Sequence, residues 1–300
     1  MNILAFVFIV LSAVLHASWN LIAKKSYMSQ ALYTVICTTA MLIWLHTQFW
    51  APVPIVRMPW QVLLLIAGSV ASDLVYCLGL VKAYRTLEMS TAYPMMRSLP
   101  LVFTALITSL AGFGHSLSGF AITGMFVVFC GCLLMPMKKI SDFRLSNYFN
   151  KSILFVIIVA GGTTGYTIFD SLGQGVLRSH FPEISKPLIS LCYYSSRGII
   201  LSTTLWIYAL LTRENREFLK KFWREKDLGG IYAGMFASCA YVLVLFSMNY
   251  VTNVSFVQAF RQMGLVFAML AGVFILKERC TLPKVLGCLL IVAGLILSVC

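Results

Sequence analysis

Two arginines stand inside long apolar stretches of this 300-residue sequence, and the residues around them repeat. RSLPLVF at 97–103 recurs 164 positions later as RQMGLVF at 261–267. A lipid-facing arginine costs about 2.5 to 3.5 kcal/mol on insertion scales, so Arg97 and Arg261 should face an interior or a wet cavity. A guanidinium offers a planar fork of donors that matches a carboxylate or a phosphate. Each arginine is therefore expected either to bind an anionic group or to hold two helices together.

Two carboxylates carry a second kind of chemistry. Of the ten acidic residues, only Asp73 and Asp170 lie well inside apolar stretches. A carboxylate in such surroundings must pair with a cation, take up a proton or face water. Both are candidates for coupling to protons, and Asp170 is also a candidate for ligand contact. The alternative for each is a structural partnership with Arg97, Arg197 or Arg261.

The other candidate ligand contacts are aromatic or polar residues near these charges: Tyr93, Gln258, Trp19, Asn20 and Tyr166. Trp19 and Asn20 follow His16 at i+3 and i+4, and Asp170 follows Tyr166 at i+4. Residues at these spacings share one face of a helix. Small neighbours such as glycine equally favour plain helix packing, so both interpretations stay open.

The sequence lacks the patterns that predict an enzyme. HExxH and GxSxG are absent, and the four histidines lie far apart: His16, His46, His115 and His180. The nine cysteines include no CxxC pair, so neither a metal site nor a disulfide is expected. We expect no catalytic residue, no metal and no cofactor.

The composition predicts the surroundings in which these residues act. Hydrophobic residues make up 60% of the chain and charged residues only 11%, which excludes a soluble domain of this length. The basic residues occur in short clusters between apolar stretches, so the net charge of +13 indicates orientation in a membrane and not a nucleic-acid partner. We expect an all-α integral membrane protein.

Apolar stretches of about 20 residues are what a helix needs to cross a bilayer. Ten are expected, at about 2–22, 31–49, 60–81, 89–110, 118–136, 152–174, 187–211, 228–249, 253–276 and 282–299. Only 137–151 and 212–227 are long and polar enough to be substantial loops.

The two halves of the chain, 1–140 and 150–300, resemble one another. Tyr76-x-Leu78-x-Leu80 matches Tyr241-x-Leu243-x-Leu245, and Gly124 and Gly131 match Gly287 and Gly294. Each half holds five spans, and because five is odd the second copy must enter the membrane from the opposite side. The ten transmembrane helices are therefore expected as two inverted five-helix repeats.

The distribution of basic residues predicts the orientation. With Lys284 at the start of the last span included, seventeen of the 23 lie at the connections on one side and three on the other, and the richer side should be cytoplasmic. Both termini are then outside. Inversion would put Arg97 in the inner half of the membrane and Arg261 in the outer half.

The segments AYPMMRSLPLVFTAL and FRQMGLVFAMLAGVFILKE, and Glu278 before a last span with spaced glycines, resemble the EamA family of the drug/metabolite transporter superfamily. HASWNLIAKKS and GGTTGYTIFDSLG look like one of its branches. The resemblance implies a ten-helix carrier of small metabolites, often an exporter, with a central cavity between the repeats. The chain departs from the family at His115-Ser116, where a glutamate is common, and at Arg261-Gln262, where Arg-Glu is common.

The sequence thus predicts a secondary transporter that moves a small polar metabolite by alternating access. An amino acid or a related compound with an anionic group is the expected substrate, and protons are the candidate coupling ion. The expected location is the bilayer of the cell (inner) membrane, as a multi-pass monomer or homodimer. The alternative is a membrane-embedded enzyme or channel that uses the same cavity.

Overall fold

The computed structural model describes residues 2–25, 29–86, 89–135, 137, 139, 141, 153–225, 228–274 and 280–300. Within helices, only the backbone is described at 20–21, 23–25, 84–85, 89–94 and 271–272. Glu278, most of the predicted loop 137–151, and the side chains of the candidates Asn20 and Tyr93 therefore lie outside the described part of the chain.

Each of the ten predicted spans contains helix among its described residues, and the described residues form no β-strand. In chain order the helices are α1 (Ile3–Lys25), α2 (Gln30–Trp44), α3 (Thr47–Trp50), α4 (Trp60–Thr86), α5 (Met89–Ala111), α6 (Gly119–Leu134), α7 (Ile153–His180), α8 (Lys186–Leu211), α9 (Arg213–Glu225), α10 (Gly229–Met248), α11 (Val254–Phe260), α12 (Met263–Phe274) and α13 (Leu282–Val299). One 3-10 turn, Ile55–Arg57, precedes α4.

Many of these helices are apolar enough for a bilayer. Five described stretches are also long enough to cross one: Gln30–Trp50, Trp60–Ala83, Ile153–His180, Gly229–Met248 and Leu282–Val299. Four shorter ones are apolar as well: Ile3–Trp19, Met95–Ala111, Gly119–Leu134 and Val254–Leu270. Their outer surfaces carry exposed apolar side chains such as Leu110 and Phe274, at 79% and 77% exposure, as expected of a lipid-facing surface.

The predicted span 253–276 is interrupted at its arginine. Helix α11 ends at Phe260 and α12 begins at Met263, with Arg261 and Gln262 in the turn between them. The Gly264 N–H donates to the Arg261 carbonyl at 3.1 Å and closes this turn. The matching segment in the first half has no such break, because α5 is helical throughout despite its two prolines.

Two other elements differ from the predicted boundaries. The span 31–49 is divided into α2 and α3 by a turn at Leu45 and His46. The segment 212–227, expected as a polar loop, contains helix α9. Its buried side chains Asn215, Leu219 and Phe222 recur every three or four residues, which gives α9 one face that packs on the bundle.

The most extensive helix contacts join α4 to α7, α1 to α10, and α6 to α13. The last pair meets through glycines. A Cβ added at Gly124 would lie 2.5 Å from the Gly294 carbonyl oxygen, and one at Gly131 would lie 2.7 Å from that of Gly287. These two helices therefore touch backbone to backbone, as small residues allow between membrane helices.

Candidate functional site

A buried ion triad joins the middle of α4, α7 and α8. Arg197 donates through Nη2 to Asp73 Oδ2 at 2.7 Å and through Nε to Asp170 Oδ1 at 3.2 Å. All three side chains are almost fully buried. Of the three arginines named as possible partners, Arg197 is therefore the one that both carboxylates contact.

Hydroxyl groups complete this triad. Asp73 also accepts from the Tyr33 hydroxyl at 2.7 Å. Asp170 accepts from the Tyr193 hydroxyl at 2.9 Å and from the Tyr241 hydroxyl. Arg197 Nε also donates to Ser69 Oγ at 2.8 Å. The buried carboxylates are thus hydrogen-bonded as well as paired, which a charge in a low-dielectric interior requires.

The two repeated arginines meet in a second cluster. Arg97 donates through Nη2 to the backbone carbonyl oxygen of Arg261 at 3.0 Å, and its Nη1 lies 3.0 Å from His16 Nε2. Gln262 Nε2 donates to the Arg97 carbonyl at 3.0 Å. The arginines that the repeat matches are therefore in direct contact, and their placement on either side of the midplane stays a prediction.

His16 cannot satisfy both of the donors that face it. The Trp19 indole N–H lies 2.9 Å from its Nδ1, while Arg97 lies at its Nε2. A neutral imidazole accepts at only one ring nitrogen, and a protonated one accepts at neither. His16 can therefore accept a hydrogen bond from only one of these two donors at a time.

Other polar atoms at this point also lack partners. Arg97 Nε, Arg261 Nη1 and Gln262 Oε1 are buried and have no hydrogen-bond partner among the described residues. No described acidic side chain lies within ion-pair distance of either guanidinium, whereas Arg197 holds two. Buried polar groups normally have partners, so this cluster is suited to a ligand that supplies them.

Two cavities adjoin these clusters. The larger has a volume of about 110 Å³ and the smaller about 60 Å³. Both volumes exceed the roughly 10 to 15 Å³ of accessible space that a cavity needs to hold one water molecule. The larger borders Asp73 and Arg197, and the smaller borders Arg97 and Gln258. Five residues line both cavities: His16, Trp19, Tyr76, Tyr166 and Arg261.

Tyrosines form one wall of the larger cavity. The Tyr76 and Tyr166 rings lie edge to face with centroids 6.1 Å apart, and Tyr166 and Tyr241 do so at 5.9 Å. Tyr194 and Tyr33 continue the row, at 6.1 Å from Tyr241 and 6.2 Å from Tyr76. This wall offers ring faces and hydroxyl groups next to the charges, which suits the apolar part of a small polar molecule.

Most of the predicted contacts with a described side chain lie around this space. Trp19, Tyr166 and Arg261 line both cavities, and Gln258 lines the smaller one while it donates to Thr167 Oγ1 at 2.7 Å. Asp170 lines neither cavity and lies behind the tyrosine wall. The sequence did not single out Tyr33 or Tyr194 as site residues. Tyr76 and Tyr241 were noted only as matching positions of the repeat, and both of them line the larger cavity.

A third cavity of about 410 Å³ lies near the ends of α5, α7 and α10, and we call it the vestibule. It shares no lining residue with the two central cavities. Asn253 Nδ2 ties two connections together at this end, with bonds to the carbonyls of Phe113 at 3.3 Å and His115 at 3.0 Å. Gly114 has a φ of 80°, and a Cβ there would lie 2.8 Å from the Thr252 carbonyl oxygen, so only glycine allows this close contact.

Comparisons with known proteins agree with this arrangement. A crystal structure, described only as "Crystal structure of protein", aligns with a TM-score of 0.71 over 99% of this chain and 97% of its own, at 12% identity. At that identity the likeness shows the fold alone. The comparison with curated proteins gave no match. Residues 153–300 match the model of the EamA-like transporter family. The second half of the chain is thus identified as an EamA-like region, part of the drug/metabolite transporter superfamily, and this match suggests a multi-pass membrane transporter.

Proposed function

We propose that the chain is a secondary carrier that moves a small metabolite with an anionic group across the cell membrane by alternating access. One observation carries the proposal. Arg97 and Arg261 converge between the two central cavities, with unpaired guanidinium atoms and no acidic partner among the described residues. A substrate carboxylate or phosphate would supply the missing acceptors and the missing charge.

The charge balance supports this class of substrate. Asp73 and Asp170 are both committed to Arg197, so the triad carries a net charge of −1. The arginine pair carries +2, and Arg261 and Asp73 line the same larger cavity. A site with a positive and a negative pole suits a zwitterion, such as an amino acid, better than a simple anion or amine. The tyrosine wall would then contact its side chain.

The packing of α6 on α13 supports the inverted repeats, 1–140 and 150–300. The sequence matches Gly124 with Gly287 and Gly131 with Gly294, a shift of 163 residues in both cases. In space Gly124 touches Gly294 and Gly131 touches Gly287, so exchanging the repeats turns each contact into the other. The α4–α7 and α1–α10 contacts exchange in the same way. Such reciprocity is expected when a two-fold axis relates the copies.

Alternating access is supported by the separation of the cavities. The vestibule lies at one end of the bundle, and the Asn253 bonds join the connections 112–118 and 249–253 beside it. A carrier must close one side of its site while the other is accessible. When the connections 112–118 and 249–253 are hydrogen-bonded to each other, the carrier is closed at the vestibule end. Its site would then exchange substrate at the opposite end of the bundle.

Orientation and coupling complete the proposal. The bias of basic residues favours termini outside, which cysteine labelling at Asn2→Cys and Lys220→Cys in intact cells would test. Asp73 lines the larger cavity whereas Asp170 does not, so Asp73 is the carboxylate better positioned to exchange a proton during transport.

Counterflow in proteoliposomes tests the proposed function. Vesicles loaded with an unlabelled amino acid should take up the same labelled compound transiently, and the uptake should saturate. Amines without the carboxylate should exchange poorly. A channel would give flux without counterflow, and an enzyme would release a chemically altered product. Equal exchange of an amino acid and its decarboxylated amine would contradict recognition of an anionic group.

A further inference from the structure

Helix α9 lies across one end of the bundle. Its buried face packs on residues at the ends of three long helices: Ala31 near the start of α2, Ala209 near the end of α8, and Gly230 at the start of α10. Leu219 and Phe222 of α9 make these contacts. The helix is thus held where the apolar helices end, which is the level of lipid headgroups when α2, α8 and α10 cross a bilayer.

The opposite face of α9 is exposed and basic. Five basic and three acidic residues occupy its thirteen positions, and all eight are exposed. Two of the basic residues are neutralised by i, i+4 ion pairs, Arg213–Glu217 at 2.9 Å and Lys221–Glu225 at 4.0 Å. Arg216 and Lys220, one turn apart between these pairs, form no ion pair with any described residue. Their charge is available to an outside partner.

Apolar residues border this basic face. Trp223 is 60% exposed and is three residues from Lys220, so it lies beside that side chain on the helix surface. Leu211 just before α9 is 78% exposed, and Leu228 just after it is 51% exposed. Exposed tryptophan between an apolar band and basic residues is typical of the membrane interface.

We infer that the Arg216, Lys220 and Trp223 surface of α9 binds the headgroup of an anionic membrane phospholipid. Arg216 and Lys220 would contact the phosphate, and the indole would lie at the boundary with the acyl chains. A soluble acidic partner would match the charge but not the exposed tryptophan and leucines beside it. The chemistry therefore favours a lipid within the bilayer that surrounds the protein. This inference is independent of the transported substrate.

The test compares two double variants of the full-length protein in nanodiscs that mix phosphatidylcholine with phosphatidylglycerol. Arg216→Gln with Lys220→Gln removes the two cations of the proposed surface. Arg213→Gln with Lys221→Gln removes the same number of charges from the same helix, but from its ion pairs. Native mass spectrometry counts the phosphatidylglycerol that each protein retains after release. A third variant, Arg216→Lys with Lys220→Arg, keeps both charges and controls for folding.

Only the first variant should lose retained phosphatidylglycerol, by about tenfold or more, since each surface cation contributes appreciably to binding of anionic lipid. The charge-keeping variant should match the parent. In vesicles, brominated phosphatidylglycerol should quench the parent's fluorescence more than brominated phosphatidylcholine does, and Trp223→Phe should remove that difference. Free glycerol phosphate should not displace the lipid. Equal losses in both double variants, equal retention of phosphatidylcholine, or a Trp223→Phe protein with unchanged quenching would overturn the inference.

Discussion

Nη2 of Arg97 lies 3.0 Å from the backbone carbonyl oxygen of Arg261, so equivalent positions of the two halves touch. The contact depends on the interruption between α11 and α12, because Arg261 lies in the turn after α11 and its carbonyl is reached by a side chain. The two guanidinium groups consequently belong to one site. A substrate that binds there would contact both repeats at once.

The first prediction concerns the fork of Arg261. Lysine keeps the charge but loses the paired donors, including the unpartnered Nη1. We expect Arg261→Lys to weaken apparent substrate affinity by about tenfold or more, because a hydrogen bond to a charged group contributes roughly 1.5 to 3 kcal/mol. Since the site is shared, the loss should appear from both faces of oriented vesicles.

Arg57→Lys is the matched control, since Arg57 is exposed outside the long helices. It should leave transport unchanged. If Arg97→Lys and Arg261→Lys both lower thermal stability while substrate affinity stays at the parental value, the pair clamps helices and does not bind substrate.

A second prediction follows from the charges of the triad. Two carboxylates share one guanidinium, so Asp73→Asn still leaves Arg197 paired with Asp170. Arg197→Gln leaves two buried carboxylates without a cation, a change that typically costs about 3 to 5 kcal/mol. Thermal unfolding in detergent should show a large loss for Arg197→Gln and a small one for Asp73→Asn. Equal losses would contradict the expectation that Arg197 is the member of the triad on which both carboxylates depend.

The sequence predicted the helices well because their apolar stretches are long and their connections short. It also identified α9 incorrectly as a loop, although the spacing of Asn215, Leu219 and Phe222 was readable. Because that segment is highly polar, the helical spacing of its few buried residues was overlooked. Only three of its thirteen residues are buried where the helix packs against the bundle.

The candidate site was harder to predict because its contacts are long-range. Arg197 is 124 positions from Asp73 and 27 from Asp170, and no local pattern selects it over the other buried arginines. Local preference was also misleading for the repeated segments. Two prolines leave α5 continuous, whereas the segment with Gly264 is interrupted. Tertiary contacts such as the Arg97 bond to the Arg261 carbonyl stabilise that interruption.

A third prediction separates the two carboxylates in coupling. Asp73 borders the larger cavity, whereas Asp170 is fully buried and receives three donors. Asp73→Asn should keep counterflow but abolish accumulation driven by a pH gradient, because the amide cannot take up a proton. Asp170→Asn should retain accumulation. Uptake of labelled substrate under an imposed gradient measures both, and full accumulation by Asp73→Asn would exclude it as the coupling residue.

The fourth prediction uses the glycine contact of α6 with α13. A methyl group at Gly124 would lie 2.5 Å from the Gly294 carbonyl oxygen, so Gly124→Ala must push the helices apart. Overpacking of this kind typically costs about 1 to 3 kcal/mol. Gly161→Ala is the control, since nothing lies within 4 Å of a Cβ there. Thermal unfolding should separate the two variants. Equal stability of the two variants would mean that α6 and α13 are not in backbone contact at Gly124 when the protein is in the membrane.

The last prediction concerns the closed end of the bundle. Asn253→Ala removes the amide bonds to the Phe113 and His115 carbonyls, so the connections beside the vestibule should separate more often. A cysteine introduced at Thr108, which lines the vestibule, should then react faster with a membrane-impermeant maleimide. Thr281→Val is the control, because Thr281 bonds the Met137 carbonyl at 3.1 Å between two other connections. It should not raise reactivity at position 108. An unchanged rate in Asn253→Ala, or an equal rise in both variants, would show that these amide bonds do not hold this end closed.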